Sequence, residues 1–158
     1  RKRYLKGMAL KEEHSHGACL FCRIARREIP AHEVFRNERL VAFLDIGPIR
    51  DGHVQIVPRD HYETFDELPL ELCSEIMALG QRLAKAQKRI YGVQRVAFMF
   101  TGGDIAHAHA HIVPLVEKTD ITSRRYIVEP ELTFRALPRA SDEALRETAA
   151  ALASHLRG

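Results

Sequence analysis

The sequence predicts an α+β fold, in which an antiparallel five-stranded meander sheet carries one long helix on one face and is followed by a C-terminal helix. Five short apolar segments bounded by turn residues indicate the strands. One longer segment repeats its apolar side chains every three or four positions, as an amphipathic helix does. Strands and helices do not alternate along the chain, which argues against a parallel α/β sheet. We expect a single domain over residues 18–158, preceded by a flexible basic arm over residues 1–17.

The first elements of this domain are a short helix and the strands. Leu20, Phe21 and Ile24 have helical spacing and predict a helix that ends before Pro30. The predicted strands are residues 34–36, 40–44, 53–57, 96–100 and 106–113. The third and fifth strands end at prolines, which cannot donate a hydrogen bond to the ladder.

Two further helices are predicted. The long one covers about 69–91, and Gly92 suits its C-terminal cap. Its apolar stripe comprises Leu72, Ile76, Leu79, Leu83, Ala86 and Ile90. The last helix begins near Ser141 and continues over residues 144–156, because a hydroxyl followed by two carboxylates is typical of a helix N-terminus.

Composition limits the kinds of partner that the protein can have. The 158 residues have 46% hydrophobic content and a formal net charge of +3. Four positive charges belong to Arg1, Lys2, Arg3 and Lys6, which leaves 20 of the 24 basic residues against 21 acidic ones. The domain therefore lacks the basic surplus typical of general nucleic-acid binding. No apolar run is long enough to cross a membrane, and we expect a cytoplasmic protein.

Two of the three cysteines, Cys19 and Cys22, form a Cys-x-x-Cys pair. Three cysteines argue against a disulfide framework and for a reducing compartment. Pairs with this spacing occur as metal ligands, as redox couples and as two buried thiols, so the spacing leaves all three interpretations open.

His107, His109 and His111 alternate with alanines. Residues two apart in a strand share a face, so the three imidazoles are expected on one face and Ala108 and Ala110 on the other. At ~3.3 Å per residue His107 and His111 would lie roughly 13 Å apart, too far for all three histidines to bind one zinc ion. A row of imidazoles with separate roles fits better, one as nucleophile or proton carrier and the others as binding groups for charge.

This histidine row resembles the signature of the histidine triad family of nucleotide hydrolases and transferases. Other blocks are similar to blocks of that family and stand in the same order, namely 19–24, 28–31, 42–46, 52–54 and 57–62. The resemblance extends from about Cys19 to Leu115 and is much weaker after Glu117. It implies a homodimer whose two sheets join edge to edge, with a purine nucleotide bound in a cleft of each subunit.

The resemblance also implies a catalytic mechanism. His109 would attack the α-phosphorus of the nucleotide and become transiently nucleotidylated before water releases the mononucleotide. His111 would contact the phosphate or the leaving group, and His53 corresponds to a fourth histidine close to the triad. The unperturbed imidazole pKa of ~6.5 keeps such a nucleophile largely neutral near pH 7. The implied activity is that of a nucleotide phosphoramidase or pyrophosphohydrolase.

Members of the family that carry the cysteine pair also bind zinc. Their ligands correspond to Cys19, Cys22, His61 and His107. A set of two cysteines and two histidines is typical of a closed structural zinc site. This assignment would leave His109 and His111 for catalysis.

The resemblance further implies the residues that bind the nucleotide. The apolar walls around the base correspond to Leu20, Phe21, Ile24, Phe43, Leu44 and Ile46. Asp45 corresponds to a carboxylate that accepts both ribose hydroxyls. The loop before the triad is shorter than is usual in the family, and Gly102 and Gly103 can offer backbone N–H groups to a phosphate. Asp104 places a carboxylate where a neutral hydroxyl is usual, and we expect it to repel a phosphate oxygen.

Three functions fit the sequence. The leading one is hydrolysis of a phosphoramidate or anhydride at the α-phosphate of a purine nucleotide. The second is transfer of the nucleotidyl group to an acceptor other than water. The third is binding of nucleotide and zinc with weak catalysis, which the carboxylate at Asp104 would explain.

Overall fold

The structure is a computed structural model that describes residues 19–103, 105–121 and 137–157. The helices are α1 (Leu20–Ala25), α2 (Leu70–Tyr91) and α3 (Asp142–Arg157), and a short 3-10 turn covers Phe65–Glu67. The strands are β1 (Glu33–Arg36), β2 (Leu40–Leu44), β3 (Val54–Pro58), β4 (Arg95–Phe100) and β5 (Ala110–Leu115). The predicted arm, residues 1–17, lies outside the described residues. None of the described helices has the length and apolar character needed to cross a membrane.

The five strands form one antiparallel sheet in the order β1-β2-β3-β5-β4. The predicted antiparallel sheet of five strands, with a long helix and a C-terminal helix, is confirmed. The strand order corrects the prediction of a simple meander, because β5 lies between β3 and β4. The 22 residues of α2 carry the chain from β3 across the sheet to its far edge, and β5 then returns beside β3.

The two faces of the sheet bury different clusters, because side chains alternate along each strand. One face packs against α2 and α3 and forms the main core. A smaller cluster covers the other face under α1 and comprises Phe21, Ile24, Ala25, Val41, Phe43 and Val57. Helix α2 approaches the sheet closely at Gly80, where an added Cβ would lie 2.7 Å from the ring of Phe98.

Strand β5 begins at Ala110, later than predicted, so that of the three histidines only His111 lies in a strand. The residues before it make hydrogen bonds elsewhere, since the N–H of Ala108 donates to the carbonyl of Tyr62 at 2.7 Å rather than to a neighbouring strand. Ala108 and Ala110 nevertheless belong to the core beneath α2, on the side of the sheet opposite His111. The alternation of faces that the sequence predicted is therefore present, although the strand is shorter.

An ion pair joins the loop between β2 and β3 to the segment after β5. One oxygen of Asp120 accepts hydrogen bonds from Arg50 at 2.9 and 2.6 Å. The other oxygen accepts the backbone N–H groups of Val116 and Glu117 at 2.8 and 2.9 Å. The hydrogen bond with the Arg50 guanidinium is the main reason why the pKa of Asp120 falls from 3.8 to about 2. The side chain of Asp120 is only 5% exposed, so this ion pair is shielded from water on the Asp120 side.

We expect Asp120→Asn to lower the free energy of unfolding by about 1–3 kcal/mol at pH 7, because Arg50 and two N–H groups lose a charged acceptor. The folded pKa lies below the unfolded one, so the stabilisation is present above about pH 4 and is lost as the pH falls towards 2. Urea unfolding at several pH values should show the wild type and the variant converging in acid. The exposed carboxylate of Asp66 provides the control, since Asp66→Asn should change stability little at any pH. A difference that is the same at pH 3 as at pH 7 would contradict the assignment.

Candidate functional site

The four predicted zinc ligands come together at the N-terminal end of α1. The two cysteines lie at the start of this helix, His61 in the loop after β3 and His107 just before β5, and their ligand atoms all lie within 4.8 Å of one another. Cys19 Sγ is 3.4 Å from His107 Nδ1, and Cys22 Sγ is 3.3 Å from His61 Nδ1. Zinc bond lengths place the sulfur and nitrogen ligands of one tetrahedral ion about 3.6 Å apart. The donor set therefore fits a structural zinc ion.

Hydrogen bonding and burial keep His107 in the form that a metal ligand requires. Its Nε2–H donates to the carbonyl of Pro58 at 2.9 Å, which leaves the Nδ1 lone pair directed at the thiols. Burial lowers the pKa of His107 to about 4, so the ring is neutral, as a ligand must be. Burial raises the pKa of the Cys22 thiol to about 11. A bound cation would offset this rise by favouring the thiolate.

His109 is held with one ring nitrogen bonded and the other available. Its Nδ1 donates to the carbonyl of His107 at 2.7 Å, and because a carbonyl only accepts, the proton is on Nδ1 and the lone pair is on Nε2. The ring packs edge-on against Phe21, with 5.0 Å between centroids, and against His111, with 4.9 Å. A buried imidazole in this fixed tautomer can act as a nucleophile.

His53 and His111 form a hydrogen-bonded pair beside His109. The N–H of Ile49 donates to His53 Nδ1 at 3.3 Å, so the proton of a neutral His53 is on Nε2, which lies 2.9 Å from His111 Nδ1. Burial lowers the pKa of His53, which favours the neutral form of the ring. A neutral His111 that accepts at Nδ1 carries its own proton on Nε2, 3.4 Å from the Thr101 hydroxyl. His111 thus offers an N–H donor next to the ring of His109.

Asp45 lies near this pair, with its Oδ2 3.9 Å from His53 Nε2, and the three side chains are close enough to be considered as a metal site. The hydrogen bonds argue against that function. His53 Nε2 carries a proton as long as Nδ1 accepts from Ile49, and a protonated ring nitrogen has no lone pair for a cation. Asp45, His53 and His111 are better described as neighbouring hydrogen-bonding groups.

A cavity of about 520 Å³ lies between α1, β2 and the first turns of α3. Its apolar wall includes the six residues predicted to surround the base, Leu20, Phe21, Ile24, Phe43, Leu44 and Ile46. Leu20 and Ile46 are 43% and 53% exposed, so part of this wall is open to an apolar ligand surface. The volume is in the range of small-molecule binding sites.

Asp45 is held where the cavity meets the histidines. Its Oδ1 accepts the N–H of Gly47 at 2.8 Å, and its Oδ2 accepts the side-chain amide of Gln55 at 2.6 Å. Gln55 is the cross-strand partner of His111 in the register of β3 and β5. A carboxylate with both oxygens oriented in this way can accept hydrogen bonds from two adjacent hydroxyl groups.

The cavity has further lining residues that sequence reasoning did not find. They are Ile29, Pro30, Ala31, His32, Gln55, Ile105, Arg139, Asp142 and Arg146. The polar side chain of Gln55 in an otherwise apolar strand is a signal that the sequence does contain. No local pattern indicates the residues from α3, because they reach the cavity only through the folded path of the chain.

The loop before the histidines contacts the site through Thr101, whereas its two glycines do not line the cavity. Gly102 and Gly103 are exposed and are not among the residues that line the cavity. Gly102 has φ +61°, the left-handed conformation that glycine adopts easily, and nothing lies within 4 Å of a Cβ added there. The contact of Thr101 with His111 links the loop to the histidines. Asp104 lies outside the described residues, so its effect on a phosphate stays a prediction.

Comparison with known proteins identifies the family. The family model of the HIT domain matches residues 26–118, which contain all five strands. A HIT-like protein of Methanocaldococcus jannaschii is 38% identical over 104 residues, 63% of this chain and 80% of that protein. The adenosine 5'-monophosphoramidase of Saccharomyces cerevisiae is 35% identical over 98 residues, 61% of this chain and 62% of that enzyme. A zinc-bound histidine triad family protein from Mycobacterium smegmatis has a TM-score of 0.68 and 25% identity, with 89% of this chain and 94% of that chain covered. This chain therefore belongs to the HIT, or histidine triad, family.

Proposed function

We propose that this protein hydrolyses purine nucleotide conjugates at the α-phosphorus, through a nucleotidyl intermediate on His109. The observation that carries the proposal is the tautomer of His109, whose Nε2 lone pair is kept available by the bond from Nδ1 to the carbonyl of His107. A phosphoramidate is the favoured conjugate, because the yeast relative at 35% identity is an adenosine 5'-monophosphoramidase.

The reaction would have two displacements at phosphorus. His109 Nε2 attacks the α-phosphorus, and the bond to the leaving nitrogen breaks with its electron pair on that nitrogen. The N–H on His111 Nε2 lies beside His109 and passes its proton to the leaving nitrogen as the P–N bond breaks, and the attacking water returns a proton to His111 in the second step. Water then attacks the phosphorus and releases His109. Over both steps one water is consumed, its oxygen ending on phosphorus and one of its protons on the amine.

Hydrolysis of adenosine 5'-phosphoramidate in ¹⁸O-labelled water tests this scheme. We expect one labelled oxygen in each AMP released. With a substrate whose α-phosphorus is a chiral phosphorothioate, two displacements should retain the configuration. Inversion would mean direct attack by water and would remove His109 from its proposed role. Added amines or alcohols that divert most of the nucleotide into a new conjugate would instead identify the protein as a transferase.

We expect Asp45→Asn to raise KM for a ribonucleotide substrate roughly tenfold or more while kcat changes little, because the variant loses a charged acceptor for the ribose hydroxyls. A 2',3'-dideoxy substrate should be nearly insensitive to the same change. Steady-state kinetics with both substrates measures the two effects. Asp51→Asn, an exposed carboxylate later in the same loop, is the matched control. Equal losses for the two substrates would show that Asp45 does not contact the ribose.

Zinc and a second copy of the chain complete the proposal. We propose that Cys19, Cys22, His61 and His107 hold one structural zinc ion, which joins α1 to the segment that carries His109. A reducing compartment such as the cytoplasm suits its thiolate ligands. We also propose a homodimer formed through β4, because this strand is an edge of the sheet and an exposed aromatic ring lies beside it. Phe65 is 60% exposed, and its ring lies 5.7 Å from that of Phe100 in β4.

A further inference from the structure

We propose that the first turns of α3 contact the edge of the base and select guanine over adenine. This inference rests on the proposed function, because it requires the nucleoside to lie in the cavity with its ribose on Asp45. The residues concerned are Arg139, Asp142 and Arg146, which line the cavity together with His32. Helix α3 lies after residues 26–118, the part of the chain that the HIT domain matches.

The segment that carries these side chains is attached to the base-binding wall. The N–H of Ala140 donates to the carbonyl of Ile46 at 2.9 Å, so the chain that enters α3 lies against the end of β2. The hydroxyl of Ser141 accepts the N–H of Ala144 at 3.2 Å and caps the helix at this point. The start of α3 is therefore fixed relative to Ile46, one of the residues of the apolar wall.

Asp142 supplies a carboxylate whose capacity for hydrogen bonding is not used by the ion pairs around it. Its Oδ1 lies 3.5 Å from His32 Nε2 and 3.8 Å from a guanidinium nitrogen of Arg139. Both distances exceed those of a good hydrogen bond. A ligand with N–H groups can therefore bind this carboxylate at shorter range than either ion-pair partner does.

Arg146 supplies donors beside this acceptor. It follows Asp142 by four residues, so the two side chains share one face of α3 and are separated by about 6 Å along the helix axis. Within the described ranges, Arg146 has no ion pair with an acidic residue. The cavity wall thus presents an acceptor group and a donor group on adjacent turns of one helix face.

This combination matches a base better than it matches a phosphate. A carboxylate would repel a phosphate placed between it and the arginines. The Watson–Crick edge of guanine has two adjacent donors, N1–H and the N2 amine, which one carboxylate can accept together, and the O6 and N7 acceptors suit a guanidinium. Adenine offers the carboxylate only its N6 amine. Inosine has N1–H and O6 but lacks the N2 amine, and it should fall between the two.

The test is equilibrium binding of GMP, IMP and AMP to the whole 158-residue chain loaded with zinc, measured by isothermal titration calorimetry. We expect GMP to bind roughly tenfold more tightly than AMP, with IMP intermediate, a ratio typical of one additional bidentate contact. Asp142→Asn should abolish most of this preference by weakening GMP while leaving AMP within about twofold, since an amide keeps the size of the side chain and loses one acceptor oxygen. Glu143→Gln, the neighbouring exposed residue, should leave all three affinities unchanged.

A second variant tests whether the loss of base preference comes from a lost contact or from misfolding of α3. Arg146→Gln should weaken GMP and IMP more than AMP, with a thermal unfolding midpoint close to that of the wild type. Equal binding of GMP and AMP by the wild type, or equal losses for all three nucleotides in Asp142→Asn, would overturn the inference. Failure of the proposed function has a different result from failure of this inference. A protein that binds GMP preferentially but releases no nucleotide from a phosphoramidate would support the base preference and contradict the proposed reaction.

Discussion

Replacing His109 with alanine is expected to lower turnover of a nucleotide phosphoramidate by about a thousandfold or more, because the nitrogen that attacks phosphorus is removed. His109→Asn should have the same effect. Nucleotide affinity should survive in both variants, since Asp45 and the apolar wall of the cavity are unchanged. Rapid quenching of the wild type with a labelled substrate should trap an acid-labile, base-stable phosphoramidate on His109.

The matched control for this prediction is His155→Ala. His155 is exposed near the end of α3, where its ring donates to the carbonyl of Ala151, and its loss should leave turnover unchanged. Near-wild-type activity of His109→Ala, or label on another residue, would exclude His109 as the covalent nucleophile. The histidine row would then be a binding surface, and the interpretation as a weakly catalytic nucleotide- and zinc-binding protein would become the better one.

The double variant Cys19→Ala, Cys22→Ala should lose its zinc and unfold at a temperature about 10 °C or more below the wild type. The physical reason is that the free energy of metal binding becomes free energy of folding, and for structural zinc sites it amounts to several kcal/mol. Metal analysis of protein purified without chelator should give about one zinc per chain for the wild type and none for the variant. Below its unfolding temperature the variant should keep most of its kcat, because zinc is expected to stabilise the fold and not to take part in the reaction.

The third cysteine provides the control for the zinc prediction. Cys73 lies in α2, away from the four ligands, and Cys73→Ala should keep one zinc per chain with a smaller change in thermal stability. Full retention of zinc in the double variant, or no zinc in the wild type, would contradict the assignment of the ligands. The first result would mean that a metal is bound elsewhere in the chain.

The histidine row shows which structural features a local sequence pattern predicts and which it does not. Alternation in the sequence predicted that Ala108 and Ala110 turn away from the histidines, and both alanines lie in the core beneath α2. The same alternation predicted that the strand begins too early in the chain. The strand begins only at Ala110, because the N–H of Ala108 bonds to the carbonyl of Tyr62. Whether a backbone N–H meets a strand or a loop depends on a partner that is remote along the chain. Local periodicity contains no information about that partner.

The cavity between α1, β2 and α3 likewise has one part that the sequence predicted and another that only the tertiary structure shows. Its apolar residues in α1 and β2 belong to blocks that could be identified in the sequence, and they lie in one cavity. The position of Gln55 beside Asp45 required the pairing of β2 with β3, which sets the two side chains 2.6 Å apart. The contribution of Asp142 required the return of the chain over about a hundred residues to the end of β2.

By itself, the sequence determined the α+β class, the number of strands, the two long helices and the residue types of the candidate zinc and histidine sites. These features follow from periodicity and short spacings, which are properties of neighbouring residues. Only the tertiary structure decided that β5 enters between β3 and β4, that His53 pairs with His111, and that α3 closes the cavity with charged side chains. Each of these depends on contacts between segments far apart in the chain, where the best packing of the whole domain, rather than any local preference, selects the neighbours.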